Sequence, residues 1–103
     1  MAQVNTQQIT TSTTAAALVA ADASRTDLYI TNEDSSIVVR VGDSTVEKTG
    51  GTAANIGLAI MPGQTLPIIS AQQGGASPAA AAWYVIADSG TPKVSVLEYG
   101  DFS

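Results

Sequence analysis

Every stretch of this chain that favours extended backbone is short, and nearly all of them run into a cluster of Gly, Pro, Asn, Asp or Ser. Leu28-Tyr29-Ile30-Thr31 runs into Asn32-Glu33-Asp34-Ser35-Ser36, and Ile37-Val38-Val39-Arg40-Val41 into Gly42-Asp43. Gly57-Leu58-Ala59-Ile60-Met61 meets Pro62-Gly63, and Trp83 to Ala87 meets Asp88-Ser89-Gly90-Thr91-Pro92 before Lys93 to Tyr99. Branched and aromatic side chains suit a pleated surface, and the residues between the runs are those that turn a chain. Ala15 to Ala23 has helical propensity, but the threonines before it and Asp22 to Ser24 after it leave too little length for a stable helix, so it reads as a strand or a single turn. Many short runs at regular spacing point to an all-β fold, a small antiparallel β-sandwich or barrel of about seven or eight strands. A jelly roll is among the compatible topologies, because meander and Greek-key connections leave the same trace in a sequence.

Local spacing gives further expectations. The runs at 28–31 and 37–41 read as one hairpin, and those at 83–87 and 93–99 as a second. In the run at 37–41, Ile37, Val39 and Val41 share a face by the period of two. Pro62-Gly63 suits a type II turn, since Pro sets the first central dihedral and Gly supplies the positive φ of the second. Pro67 interrupts the run from Thr65 to Ile69, and its missing N–H argues for an edge strand or a bulge. Ser44 to Asn55 reads as a mobile insertion, and Gln72 to Ala82 as a loop of low complexity. The chain of 103 residues is expected to be a single domain. Residues 1–24 form an N-terminal arm or first strand and 25–103 the sandwich.

Composition narrows the function. There is no His and no Cys, so the usual general base, the thiol nucleophile, a structural zinc site and disulfides are all excluded. Without a histidine base, Asp88-Ser89-Gly90 is read as turn chemistry and no catalytic residue is assigned. No loop has calcium-binding spacing, and neither Gly50-Gly51 nor Gly74-Gly75 is followed by the Lys-Ser or Lys-Thr of a phosphate cradle. The expectation is a protein that is not an enzyme, without metal or cofactor. Nine acidic residues face only Arg25, Arg40, Lys48 and Lys93, which are scattered singly, so nucleic acid and anionic lipid are not expected partners. The N-terminus lacks the basic start of a signal peptide, and its apolar part is too short to span a bilayer, which is the expectation for a chain made in the cytosol.

Only 13% of the residues are charged, about half the usual share, and a surface so neutral suits a protein that packs against neighbours. A core this small also gains from a partner surface. In the last run Val94 and Val96 alternate with Leu97 and Tyr99, so both faces carry apolar groups. Trp83 and Tyr84 are adjacent and must point to opposite faces. Tyr84, Leu97, Tyr99 and Phe102 are the candidate interface residues, for contact with copies of the chain or with another protein.

Arg25 followed by Leu28-Tyr29-Ile30-Thr31-Asn32, Ile37 to Gly42, the turn at Pro62-Gly63 and the long terminal match from Trp83 to Val96 together resemble small virion structural proteins of tailed bacteriophages. The likeness runs from Arg25 to Glu98 and consists mainly of strand and turn signals. It implies a capsid decoration or cement protein, commonly trimeric, bound to the major capsid protein on the outer surface of the virion after synthesis in the host cytoplasm. An N-terminal arm of such a protein can add a strand to a sheet edge of the shell. The same kind of module occurs in fibres and spikes. There a receptor-binding role, with Trp83, Tyr84 or Tyr99 stacked on a sugar, is the alternative.

Overall fold

The computed structural model describes residues 3–51, 55–69 and 78–101. Eight strands and one short 3-10 helix follow in the order β1 (Gln3–Thr10), β2 (Ala16–Val19), β3 (Arg25–Asn32), β4 (Val39–Gly42), β5 (Leu58–Ile60), β6 (Thr65–Ile69), the 3-10 helix (Pro78–Ala80), β7 (Trp83–Ala87) and β8 (Lys93–Gly100). They build two four-stranded sheets, β1-β8-β3-β6 and β2-β7-β4-β5, with every pairing antiparallel. The first strand pairs with the last, the second with the last but one, and so inward to β4 and β5. This is one long antiparallel ribbon rolled over itself, the jelly-roll form of the all-β sandwich.

The rolled ribbon overturns both hairpin expectations. β3 and β4 lie in different sheets, as do β7 and β8. Alternation along a strand fixes which side chains face inward, but it is equally satisfied by a neighbour in the same sheet and by a strand across the core. Residues 33–38 and 88–92 are arches between sheets. The first is held by Asn32, which is fully buried and whose side-chain amide donates to the carbonyls of Ile37 (2.8 Å) and Ile60 (2.9 Å) while its Oδ1 accepts from the Asp34 N–H. Asp34 then accepts from the backbone N–H groups of Ser36 and Ile37. These bonds hold the corner. Among the described strands, β4 and β5 are the only neighbours in sequence that pair.

Leu28 and Ile30 of β3, Val94 and Val96 of β8, Ile68 of β6, Val39 and Val41 of β4, Ile60 of β5 and Val85 and Ala87 of β7 fill the space between the sheets. Trp83 packs at the margin of this core and donates its indole N–H to the Pro78 carbonyl. Met61-Pro62-Gly63-Gln64 is the turn read from the sequence: Gly63 has φ +79°, and the Gln64 N–H donates to Met61 O at 3.0 Å. β6 is an edge strand with Pro67 in it, and residues 16–19 are a strand.

The loop after β4, read as mobile, is packed along its described part. Val46 is buried, the Glu47 N–H donates to Asn55 O, and the Thr49 N–H donates to Asp88. Most of the low-complexity stretch lies outside the described residues, but Ala79 is fully buried and its carbonyl accepts from Arg25 Nε.

Arg25, in sequence one of four scattered cations and the first residue of the resemblance, has a side chain only 1% exposed. Besides Ala79 O, it donates to Glu98 Oε1 at 2.8 Å and to the carbonyls of Ala20 (3.1 Å) and Ala81 (2.6 Å). One guanidinium thereby ties the β2–β3 turn, β8 and the segment before β7 together, with a planar fork suited to several acceptors at once.

Candidate functional site

The two sheets treat their outer faces differently. On the β2-β7-β4-β5 sheet the outward side chains include Tyr84, Ile86 and Arg40, and the loop after β4 folds towards them. Ile86 is buried there, Arg40 is bonded to Asp88 and to Gly57 O, and the Thr49 N–H is drawn onto the same Asp88 carboxylate. Burial pushes the Asp88 carboxyl up, but the Thr49 N–H and the Arg40 guanidinium outweigh it, and the group lies below the usual aspartate range.

The outer face of the β1-β8-β3-β6 sheet carries no such cover among the described residues. Strand register sorts its side chains into rows. One end row is Val4, Tyr99, Asp27 and Ile69, and the next is Thr6, Leu97, Tyr29 and Pro67. The third is Gln8, Ser95, Thr31 and Thr65. Val4 and Ile69 are each 56% exposed and Tyr99 41%, so the apolar groups of the first row stand in the open. The third row is hydroxyl and amide, with Thr31 and Thr65 sharing a bond of 2.7 Å. A shallow groove of about 530 Å³ runs over the second and third rows, between Thr6 and Gln8 on one side and Tyr29 and Thr31 on the other, with Leu97 and Ser95 as its floor.

The face therefore grades from apolar to hydrogen-bonding along the strands, with acids at both ends. Asp27 accepts from the Tyr29 hydroxyl at 3.2 Å, and Glu33 accepts from the Ser95 hydroxyl. That bond to Asp27, with partial burial and the Asp27 charge, raises the Tyr29 phenol above its ordinary value. A surface of this kind suits contact with another protein, where aromatic and aliphatic groups exclude water and a polar margin fixes orientation.

Of the four candidate interface residues, Leu97 and Tyr99 lie on this face, two residues apart on β8. Tyr84 lies on the outer face of the opposite sheet, paired with Ala17 and Gly42. Phe102 lies outside the described residues. Trp83, Tyr84 and Tyr99 do not share a surface: the first packs on the core and the other two lie on opposite outer faces. Val4, Tyr29, Pro67 and Ile69 complete the open face and were not singled out from the sequence. Their signal was present in Leu28-Tyr29-Ile30, where a large aromatic stands at the outward position of an otherwise inward-facing run.

Among the described residues, no three acidic side chains come together in a way that could hold a metal ion, and no helix is long and apolar enough to cross a membrane. Comparison with known proteins finds no matching family model, no matching curated protein and no matching solved structure.

Proposed function

We propose that this chain is a structural protein of a bacteriophage particle, a decoration or cement subunit that binds the major capsid protein through the open face of the β1-β8-β3-β6 sheet and stabilises the shell. The observation that carries this reading is the row Val4, Tyr99, Asp27 and Ile69, in register across the sheet, in which three exposed apolar or aromatic side chains flank a single acid that is itself bonded to the Tyr29 hydroxyl. Water contact with these groups is unfavourable, and burying them against a partner gives on the order of 25 cal/mol per Å². Many symmetric copies make weak single contacts sufficient for retention. The resemblance of residues 25–98 to phage virion proteins supports the particle as the partner, and the fold is one that viral shells use.

The test uses particles of the phage that encodes the chain, prepared with its gene deleted. Added protein is expected to sediment with them to a fixed stoichiometry and to raise the temperature at which they release DNA. Tyr99→Ser combined with Leu97→Ser is expected to abolish both effects and leave the folded state intact. Wild-type protein that stays in the supernatant at saturating concentration would end the reading.

A further inference from the structure

A jelly roll leaves four sheet edges, and three of them here are closed to further strands. β6 carries Pro67, which is paired with Tyr29 and flanked by the hydrogen-bonded positions Leu66 and Ile68, so its missing N–H falls on the free edge. β2 has four residues and a register shift between Ala17 and Val19. β5 has three residues. Bulges, prolines and short length are the devices by which proteins keep edges from pairing.

β1 has none of them. Gln3–Thr10 is eight residues long, unbulged, without Pro, Gly or charge, and exposed at every position but Ile9. The direction of its backbone follows from the pairing. The Thr11 N–H donates to Pro92 O, and the Glu33 N–H donates to Lys93 O on the other side of β8. Antiparallel pairs alternate between bonded and non-bonded. Ile9, Gln7 and Asn5 therefore bond to β8, and the N–H and C=O groups of Val4, Thr6, Gln8 and Thr10 point away from it.

We infer that these four residues pair antiparallel with the same strand of a second copy about a twofold axis at Gln7. In that register Val4 faces Thr10 of the second copy and Thr6 faces Gln8, so all four outward residues of each strand are bonded at once. Gln7 meets Gln7 across the axis, where two amide side chains can bond each other. No charge meets a like charge. The contact is isologous, and it closes on itself because the opposite edge of the sheet is blocked at Pro67. The axis stands perpendicular to the sheet and sets the two open faces on one side of a continuous eight-stranded surface. That doubling matters for shell binding only if the proposed function holds, whereas the pairing does not depend on it.

Light scattering on the purified chain is expected to give twice the mass of one chain. Gln8→Pro removes an outward N–H and no bond to β8, so it is expected to return the protein to one chain's mass with its far-UV spectrum unchanged. Because the chain has no cysteine, Gln7→Cys is expected to form a covalent dimer under mild oxidation, since non-bonded antiparallel pairs hold Cα atoms about 4.5 Å apart. Thr65→Cys, on the blocked edge, is expected not to. A monomer or a trimer, or cross-linking of Thr65→Cys as fast as Gln7→Cys, would overturn the inference. A trimer would leave the shell-binding reading standing, and a dimer that fails to bind particles would overturn that reading alone.

Discussion

Replacing Arg25 by Met is expected to be among the most costly single changes in the chain. The aliphatic stem stays similar in length, while four donated bonds are lost and Glu98 is left as a charge without its partner. Removing one member of a buried ion pair costs about 3–5 kcal/mol. Glu98 is 19% exposed and keeps some access to water, which puts the expected loss near the lower end, about 3 kcal/mol. A domain of this size has a total stability on the order of 5–15 kcal/mol, so the variant forfeits a large part of it. At about 4–8 °C per kcal/mol, the melting temperature falls by roughly 12–24 °C.

Thermal and urea unfolding followed by circular dichroism measure this directly. Arg25→Lys keeps the charge but offers one ammonium in place of a fork, so it is expected to fall between wild type and Arg25→Met. Glu98→Gln alone keeps a neutral acceptor for Nη1 and should cost less than Arg25→Met. In the double variant the two losses should overlap, because both remove the same contact. A loss below about 1 kcal/mol for Arg25→Met, or strict additivity of the pair, would refute the assignment of Arg25 as the tie between the β2–β3 turn, β8 and the segment before β7.

Three further outcomes are expected. Gly100→Ala brings a Cβ against the Ser24 carbonyl and the Arg25 Cα, and should cost about 1–3 kcal/mol by denaturant unfolding. Asn32→Asp sets a carboxylate against the carbonyls of Ile37 and Ile60 and should lose about 3 kcal/mol at neutral pH. Protonation relieves that conflict, so this variant alone should regain stability as the pH is lowered. In the wild type, backbone N–H groups of Ser36 and Ile37 hold the Asp34 carboxyl below its ordinary 3.8, and the Thr45 hydroxyl and N–H do the same for Asp43. Carboxyls depressed in the folded state contribute stability that is present above the unfolded value and lost as the pH falls through the folded one. Melting temperatures should therefore drop below about pH 4, less steeply in Asp34→Asn, and an unchanged acid slope in that variant would contradict the capping role of Asp34.

The sequence carries the strands far better than their partners. Val39 with Val41 and Val94 with Val96 announce an inward face through a period of two, and that period arises within one strand. Whether the next strand lies beside it or across the core depends on the arch. The arch at 33–38 is decided by Asn32, whose amide reaches carbonyls of Ile37 and Ile60, the latter far along the chain. A buried asparagine next to Glu33-Asp34-Ser35-Ser36 looks like ordinary turn chemistry until its acceptors are in place. Arg25 was hidden in the same way, because its acceptors on Ala20, Ala79 and Ala81 are backbone carbonyls of residues without a polar side chain. Pro67 and Pro62-Gly63 were legible because their constraint is intrinsic to the residue. Leu97 and Tyr99 were legible because an apolar group on both faces of one strand is a contradiction for a half-exposed sheet.

That contradiction is resolved differently on the two sheets, and the proposed binding face rests on the difference. Where the outer face of β7 carries Ile86, the chain returns with the loop after β4 and buries it, fixing the loop through Arg40, Asp88 and the Thr49 N–H. Where the outer face of β8 carries Leu97 and Tyr99, the described chain supplies no equivalent cover, and the neighbouring strands add Val4 and Ile69 to the same end. Both solutions obey the same drive to remove apolar surface from water. One is satisfied within the chain, and under the proposed function the other is satisfied by the capsid protein. Substituting Tyr99, the exposed member of the pair, should therefore change association while leaving the unfolding free energy of the isolated chain within about 0.5 kcal/mol of wild type.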